Sequence, residues 1–292
     1  GGTSLVTLLF GIGILMSNRP EWVSACFGIG LAGGTAVGLS TFSTPDELAH
    51  LLRVSGVSTL LFERRVAGKD FAVMLGALEP GIASGSPGAL LSPAFPFLRR
   101  LVMIGDEPDG EAQGAAESWA NFIRSGAAVA EARVDAAADA VAPADPALLL
   151  FSSGSTGKAK GILNSHRAVN LQSWRLPRVY AVEPDHPVKS WSANGLFWSG
   201  NWSFFLGFTL AAGGTMVLQP VFNPAEAIAL MEAERVTFPY CWPHQWAQLE
   251  EQPGWAQADL SSFYYFDAEC MLRRPHKAIT TTRLDPRAAY GS

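Results

Sequence analysis

The chain has 292 residues, of which 48% are hydrophobic and 16% are charged, and its formal net charge is −5 at pH 7. This composition is typical of a globular enzyme with room for one large core or two lobes. The negative charge gives no electrostatic reason to expect nucleic acid or an anionic membrane as a partner. Three widely separated cysteines, Cys26, Cys241 and Cys270, form no metal-like pair and favour reduced thiols in a cytoplasmic protein.

The first hundred residues predict strands that alternate with helices. Short apolar runs predict buried strands over 11–16, 35–39, 57–62 and 101–104. Between them, Asn18 is a candidate helix cap before Pro20, and Thr44 to Glu47 reads as a capping box with proline at the first helical position. The apolar stretches 5–16 and 23–39 are short or interrupted by glycine, so we interpret them as core and not as membrane spans. This alternation predicts a parallel sheet with right-handed crossovers.

A loop of glycines, hydroxyls and lysines follows the apolar run Leu148–Phe151. It reads Ser152-Ser153-Gly154-Ser155-Thr156-Gly157-Lys158-Ala159-Lys160. Glycines let backbone N–H groups turn towards an anion, hydroxyls add donors and lysines add positive charge, so the loop predicts a polyphosphate site. A Walker loop is disfavoured, because it needs four residues between its glycines and a Ser or Thr directly after the lysine. A flexible linker is the other alternative, and it fits poorly directly behind a buried strand.

The second half repeats the alternation of strands and helices. Strands are predicted over 161–163, 215–218, 236–240 and 263–267, and Ser165 and Asn223 are candidate helix caps. The segment 195–208 is dense in glycine and large aromatic residues. We therefore expect two α/β domains, a first lobe over residues 1–180 and a second over residues 181–292.

The segment from Ser152 to Gly161 closely resembles the phosphate-loop signature of the adenylate-forming superfamily, with Ala159 in place of the usual proline. This superfamily includes acyl- and aryl-CoA synthetases, luciferases and the adenylation domains of peptide synthetases. The segments 18–22, 43–48 and 165–167 are also similar to family segments, although their residues are mainly those that begin a helix in many proteins. The resemblance implies two parallel-sheet αβ lobes of the family's N-terminal domain, layered αβαβα, without the small C-terminal domain. The chain ends in Ala289-Tyr290-Gly291-Ser292, which resembles the start of the family's Tyr-Gly-x-Thr-Glu motif.

The resemblance also implies roles for particular residues. The phosphates of ATP would be held by Ser152, Ser153, Gly154, Ser155, Thr156, Gly157, Lys158 and Lys160, with Thr156 and Lys160 catalytic and Thr156 a ligand of Mg²⁺. Adenine would lie against Ala268 and Glu269, although Asp267 and Cys270 replace a usual glycine and proline, and would contact Tyr290, Gly291 and Ser292. The tail of the acid substrate would contact Trp198, Trp202, Phe205 and His244. For these four residues, core packing or a surface turn is the alternative interpretation.

The implied function is an ATP-dependent acid–thiol ligase. It would activate a bulky apolar or aromatic carboxylic acid as an acyl-adenylate and transfer it to coenzyme A or to the phosphopantetheine thiol of an acyl carrier protein. The alternative, suggested by Asp267 and Cys270, is a homologue that binds a nucleotide or an acyl-adenylate without complete catalysis. Residues 1–292 alone are predicted to be inactive, and a homodimer is compatible with either function.

Overall fold

A computed structural model describes residues 11–105, 114–152 and 158–281. Its strands are β1 (Gly11–Leu15), β2 (Thr35–Gly38), β3 (Thr59–Glu63), β4 (Arg65–Val66), β5 (Lys69–Asp70), β6 (Arg100–Ile104), β7 (Ala116–Ser118), β8 (Pro146–Ser152), β9 (Lys160–Ser165), β10 (Lys189–Ser192), β11 (Thr215–Val217) and β12 (Phe238–Tyr240). Its α-helices are α1 (Pro20–Leu31), α2 (Pro45–Ser55), α3 (Phe71–Leu78), α4 (Pro80–Ser84), α5 (Trp119–Gly126), α6 (Glu131–Asp139), α7 (His166–Val179), α8 (Ser199–Asn201), α9 (Phe208–Ala211), α10 (Pro224–Ala233), α11 (Pro243–Glu250) and α12 (Ala268–Met271). A π-helical segment covers Trp202–Gly207 and a 3₁₀ turn covers Trp255–Gln257.

The chain divides into two compact units. The first unit comprises Gly1–Val169 together with Phe197–Ser199, and the second comprises Asn170–Leu196 and Gly200–Ser292. The boundary between the two lobes expected after residue 180 stays a prediction. Across the described part of the chain, no helix is both long enough and apolar enough to cross a membrane.

The first unit contains a seven-stranded sheet with the order β7-β6-β3-β1-β2-β8-β9. Its neighbouring strands are parallel from β7 to β8, and β9 alone among these seven strands runs antiparallel to its neighbour. The central strand β1 is almost entirely buried, as expected for a parallel sheet covered on both faces. The predicted α/β fold with a large parallel sheet is confirmed.

Helix α2 begins with the predicted capping box. The Thr44 hydroxyl accepts a hydrogen bond from the Glu47 N–H at 3.3 Å, and the Thr44 N–H donates to the Glu47 carboxylate at 2.8 Å. Gly56 ends the helix in the left-handed conformation with φ 59°, which glycine adopts at little cost. The apolar side chains Leu48, Leu51 and Leu52 are buried, so α2 is fixed at both ends and along one face.

The cap predicted for α1 is wrong. Arg19, not Asn18, occupies the capping position, and its side chain makes no capping hydrogen bond. Arg19 instead pairs with Glu21 at 2.8 Å and with Glu63 at 3.2 Å. Pro20 at the first helical turn and Glu21 near the positive helix end are sufficient to begin the helix.

The second unit contains a three-stranded parallel sheet with the order β11-β10-β12. Asn223 caps α10 as predicted, because its side-chain oxygen accepts from the N–H groups of Ala225 at 3.1 Å and Glu226 at 3.3 Å. Trp191 of β10 and Trp246 of α11 are fully buried in the core of this unit.

The strand predicted over residues 263–267 is wrong. In this segment Phe263, Tyr265, Phe266 and Asp267 are all buried, so the alternation of a half-buried strand is missing. Asp267 forms only an isolated bridge and then caps the short helix α12, where its carboxylate accepts from the Cys270 N–H at 3.1 Å. Packing of the aromatic residues, and not sheet pairing, determines this segment.

Candidate functional site

The two ends of the glycine- and hydroxyl-rich loop lie side by side in the first unit. Strand β8 ends at Ser152 and β9 begins at Lys160, and these two residues are antiparallel partners, as are Phe151 and Gly161. The loop therefore closes a β-hairpin whose ends are fixed by the ladder. Ser153, Gly154, Ser155, Thr156 and Gly157 lie outside the described residues, so the roles predicted for them stay predictions.

Positive charge is concentrated where this loop re-enters the sheet. Lys158 and Lys160 are exposed, and Ser152 is half-buried. Neither lysine pairs with a carboxylate among the described residues. Both ammonium groups are thus accessible to a dissolved anion.

The loop begins at the carboxyl edge of the parallel sheet. Strand β8 is parallel to β2, so Ser152 and the last residue of β2, Gly38, lie at the same edge of the sheet. Open α/β sheets bind their ligands outside the carboxyl ends of the strands. The described ends of the loop, with Ser152, Lys158 and Lys160, therefore lie where ligands of such sheets are found.

Trp198 is brought to this same edge. A Cβ atom on Gly38 would lie 2.8 Å from Leu150 Cδ2 and 3.2 Å from the Cα atom of Phe197, so the segment 197–199 passes close to the ends of β2 and β8. The Phe197 ring also meets Phe42 edge to face, with 5.6 Å between ring centroids. Trp198 follows directly and is partly exposed.

Trp202 and Phe205 lie in the second unit and are buried, with 7% and 1% of their surfaces exposed. They belong to the π-helical segment 202–207, a rare conformation that is frequent at functional sites. Among the described residues, the indole N–H of Trp202 has no hydrogen-bond partner. The indole N–H groups of Trp191 and Trp246, in the core of the same unit, are also unpaired within the described part of the chain, so this feature is compatible with core packing.

A polar network that the sequence did not reveal lies beyond the carboxyl ends of β10 and β12. The Asn201 amide donates to the Asn194 carbonyl at 2.8 Å, and the Gln245 amide donates to the Asn194 side chain at 3.2 Å. Gln245 also accepts from the Trp242 N–H at 2.8 Å. Within the described part of the chain, the side-chain oxygen of the fully buried Asn201 has no partner. A single asparagine inside the aromatic stretch was the available signal.

The other groups near these strand ends are neutral or exposed. Burial raises the pKa of the Tyr240 phenol and that of the Cys241 thiol, so both stay protonated at neutral pH. Cys241 is consequently unsuited to act as a thiolate nucleophile. His244 is exposed in the first turn of α11. This part of the second unit thus favours uncharged groups.

The sequence profile of the family described as AMP-binding enzyme matches residues 11–271. The chain belongs to this family. The match covers both units, including the loop after β8 and the aromatic segment.

The chain is similar to several CoA ligases and spans about half the length of the curated relatives it matches. A 7a-methyl-1,5-dioxo-octahydro-1H-inden-4-yl propanoyl:CoA ligase of Mycobacterium tuberculosis is 29% identical over 267 residues, which are 87% of this chain and 45% of the relative. A feruloyl-CoA synthase of an Amycolatopsis species is 28% identical over 253 residues, or 86% of this chain and 42% of the relative. Among solved structures, an anthranilate CoA ligase in complex with anthranoyl-AMP has a TM-score of 0.70 and 24% identity, covering 87% of this chain and 44% of that one. This structural likeness supports the fold.

Of the residues predicted to contact adenine, the structure describes Ala268 and Glu269. Ala268 and Glu269 form the first turn of α12, where Ala268 is half-buried, Glu269 is exposed, and the Ala268 N–H donates to the Thr281 carbonyl at 3.1 Å. Asp267, which departs from the family pattern, has a structural role as the cap of α12. Tyr290, Gly291 and Ser292 lie outside the described residues, so their contacts with the nucleotide stay predictions.

Proposed function

We propose that this chain binds the nucleotide and the acid in an ATP-dependent acid–thiol ligase. The observation that carries the proposal is the β8–β9 hairpin, which places Ser152, Lys158 and Lys160 at the carboxyl edge of the parallel sheet. The family membership and the CoA ligases among the relatives support the same reaction class.

In the proposed first step, a carboxylate oxygen of the acid attacks the α-phosphorus of ATP. The bond from this phosphorus to the bridging oxygen breaks, an acyl-adenylate forms and pyrophosphate leaves. Two anions must approach each other, so the site has to neutralise phosphate charge with fixed donors and cations. We assign this task to the backbone N–H groups of Ser152–Lys160 and to the ammonium groups of Lys158 and Lys160. In the second step the acceptor thiol attacks the acyl carbon and AMP leaves.

Mg²⁺ is proposed to accompany ATP. A hydroxyl oxygen is a hard donor of the type that Mg²⁺ accepts beside phosphate oxygens, and we propose Thr156 for this position. When bound, the ion supplies charge neutralisation at the phosphates. Thr156 and Lys160 are the residues we propose as catalytic.

For the acid, we propose a bulky apolar or aromatic carboxylate. Trp198 is the proposed contact, because the backbone next to it is held at the same sheet edge as the hairpin. Trp202, Phe205 and His244 remain candidates from the sequence. The relatives named for an indenyl propanoate and for feruloyl-CoA use cyclic acids, which supports this class. Coenzyme A is the proposed acceptor, with a carrier-protein thiol as the second option, and a cytoplasmic location and a homodimer belong to the same proposal.

The test is pyrophosphate exchange by the complete protein with a panel of carboxylic acids. We expect incorporation of labelled pyrophosphate into ATP that depends on a bulky apolar or aromatic acid. Thr156→Ala and Lys160→Ala should each slow the exchange. The activation free energy should rise by about 1–3 kcal/mol, the cost of removing a group hydrogen-bonded to a charged partner. Lys277→Ala removes an exposed lysine elsewhere and serves as the control.

Two results would count against the proposal. ATP binding without exchange for any acid would favour the alternative, a homologue that binds nucleotide without adenylation. Wild-type exchange rates in both Thr156→Ala and Lys160→Ala would show that the loop is not part of the active site.

A further inference from the structure

His50 lies on helix α2 but contacts the far end of the phosphate loop. Its Nε2 atom is 3.0 Å from the carbonyl oxygen of Ala159, a residue 109 positions later in the chain. A carbonyl oxygen only accepts, so the ring nitrogen donates the hydrogen bond. The bond is available to the neutral ring with its proton on Nε2 and to the protonated ring.

The helix that carries His50 is a fixed support. The capping box at Thr44, the left-handed Gly56 and the buried leucines hold α2 in place. Nearby, the Lys69 ammonium donates to the carbonyls of Thr41 at 3.2 Å and of Ser43 at 2.9 Å, which secures the chain entering the helix. His50 itself is half-buried, so its ring has limited freedom to leave Ala159.

Ala159 is held on a second side as well. Its methyl group packs against the apolar core of the first unit, and the next residue, Lys160, enters the ladder opposite Ser152. The peptide between Ala159 and Lys160 is thus constrained by the core, the ladder and the His50 ring. The orientation of this peptide determines the direction in which Lys160 leaves the backbone.

We propose that His50 is a positioning residue for the phosphate loop: by holding the Ala159 carbonyl it directs Lys158 and Lys160 towards a bound polyphosphate. This inference rests on the proposed function and extends it to a residue far from the loop in sequence. His50 is proposed to touch neither the nucleotide nor the acid. It acts only through the backbone of the loop.

The test compares His50→Phe with His50→Gln in the complete protein. Phenylalanine keeps a planar ring and removes the donor, whereas the glutamine amide can still donate to Ala159. His166→Phe is the control, because it makes the same substitution in the first unit at the opposite end of β9. Dissociation constants are measured for MgATP and for AMP, which lacks the β- and γ-phosphates.

His50→Phe should bind MgATP about 3- to 10-fold more weakly, the effect of losing one ordinary hydrogen bond, while its affinity for AMP stays within about 2-fold. His50→Gln and His166→Phe should bind both nucleotides like the wild type. Amide hydrogen exchange at Lys160 and Gly161 should be faster in His50→Phe without nucleotide, since the tether is gone.

Three outcomes would overturn the inference. A folded His50→Phe with wild-type MgATP affinity shows that the contact does not position the loop, even if amide exchange rises. Equal weakening of MgATP and AMP, with a lower unfolding temperature, assigns His50 a purely structural role. Failure of the wild type to bind MgATP refutes the proposed function itself and, with it, the positioning role.

Discussion

Gly38 is a residue at which the local geometry excludes a side chain. A Cβ atom there would lie 2.8 Å from Leu150 Cδ2, which could shift, but also 3.2 Å and 3.3 Å from the Cα and carbonyl oxygen of Phe197, which are backbone atoms. Gly38→Ala should therefore destabilise the protein by about 1–3 kcal/mol, the usual cost of overpacking.

Urea unfolding of the variant measures this cost. Gly28→Ala is the matched control, because Gly28 lies in α1 and its added Cβ would have nothing within 4 Å apart from its chain neighbours and the backbone of its own helix. In a helix this exchange should stabilise by about 0.5–1 kcal/mol. Equal stability of both variants would mean that the 197–199 segment does not pass as close to β2 as described.

Trp198 is the residue that most directly tests the proposed acid contact. Replacing a large partly exposed ring by alanine opens space, so Trp198→Ala should shift preference towards longer or bulkier acids while MgATP affinity stays near wild type. A pocket shaped by packing discriminates by about 1–3 kcal/mol for a methylene-sized change. The measurement is kcat/KM over a graded series of acids in the complete protein.

Trp174→Ala is the control for this experiment. Trp174 is 54% exposed on α7, where Arg178 stacks on its ring at 3.7 Å. If the ranking of acids is unchanged in Trp198→Ala, or if kcat/KM falls equally for every acid, Trp198 only packs against the rest of the protein and does not contact the acid.

At the level of the elements, short-range signals predicted structure well. The capping residues Thr44, Ser165 and Asn223 act within three residues of themselves, and all three helix starts were correctly predicted. The buried strand before the glycine- and hydroxyl-rich loop was predicted for the same reason, since an apolar run followed by serine and glycine is a local pattern. These features depend little on the rest of the chain.

Features that depend on distant contacts were not predictable. The His50–Ala159 hydrogen bond joins residues 109 positions apart, and the Asn201–Asn194–Gln245 network forms only when two strand ends meet. Residues 263–267 resemble a strand by composition, but tertiary packing buries four of the five side chains. The π-helical form of 202–207 likewise leaves no simple periodicity in the sequence.

The aromatic cluster at the end of α7 predicts a dependence of stability on alkaline pH. The Tyr180 ring packs against Phe208 and Phe238, with 4.9 Å and 5.4 Å between ring centroids. Burial raises the pKa of Tyr180 from 10.0 to about 12. The folded state therefore favours the neutral phenol. The contribution of this phenol to the free energy of unfolding is complete below pH 10 and is lost as the pH rises through 12.

Denaturant unfolding between pH 9 and 12 measures this effect. The free energy of unfolding of the wild type should fall by on the order of 1–3 kcal/mol through ionisation of Tyr180, because one pKa unit corresponds to about 1.4 kcal/mol. Tyr180→Phe cannot ionise and should show a smaller decline, with the remainder due to groups such as Tyr240, whose pKa burial also raises. Identical pH profiles for the two proteins would mean that Tyr180 is accessible to water.

At the scale of the whole molecule, the chain carries the family's loop and parallel sheets but spans only 42–45% of the two CoA ligases described above. Activity therefore has to be measured on the complete protein. For this chain itself we propose only that the loop at the end of β8 holds the polyphosphate of ATP. Each further proposal, including the role of His50, depends on this one.

The decisive measurement is a crystal structure of the complete protein with Mg²⁺ and a non-hydrolysable ATP analogue. We expect β- and γ-phosphate oxygens within about 2.7–3.2 Å of backbone N–H groups in the loop Ser152–Lys160, with the Lys160 ammonium at hydrogen-bond distance. A triphosphate bound elsewhere on the protein, with this loop free of ligand, would contradict it.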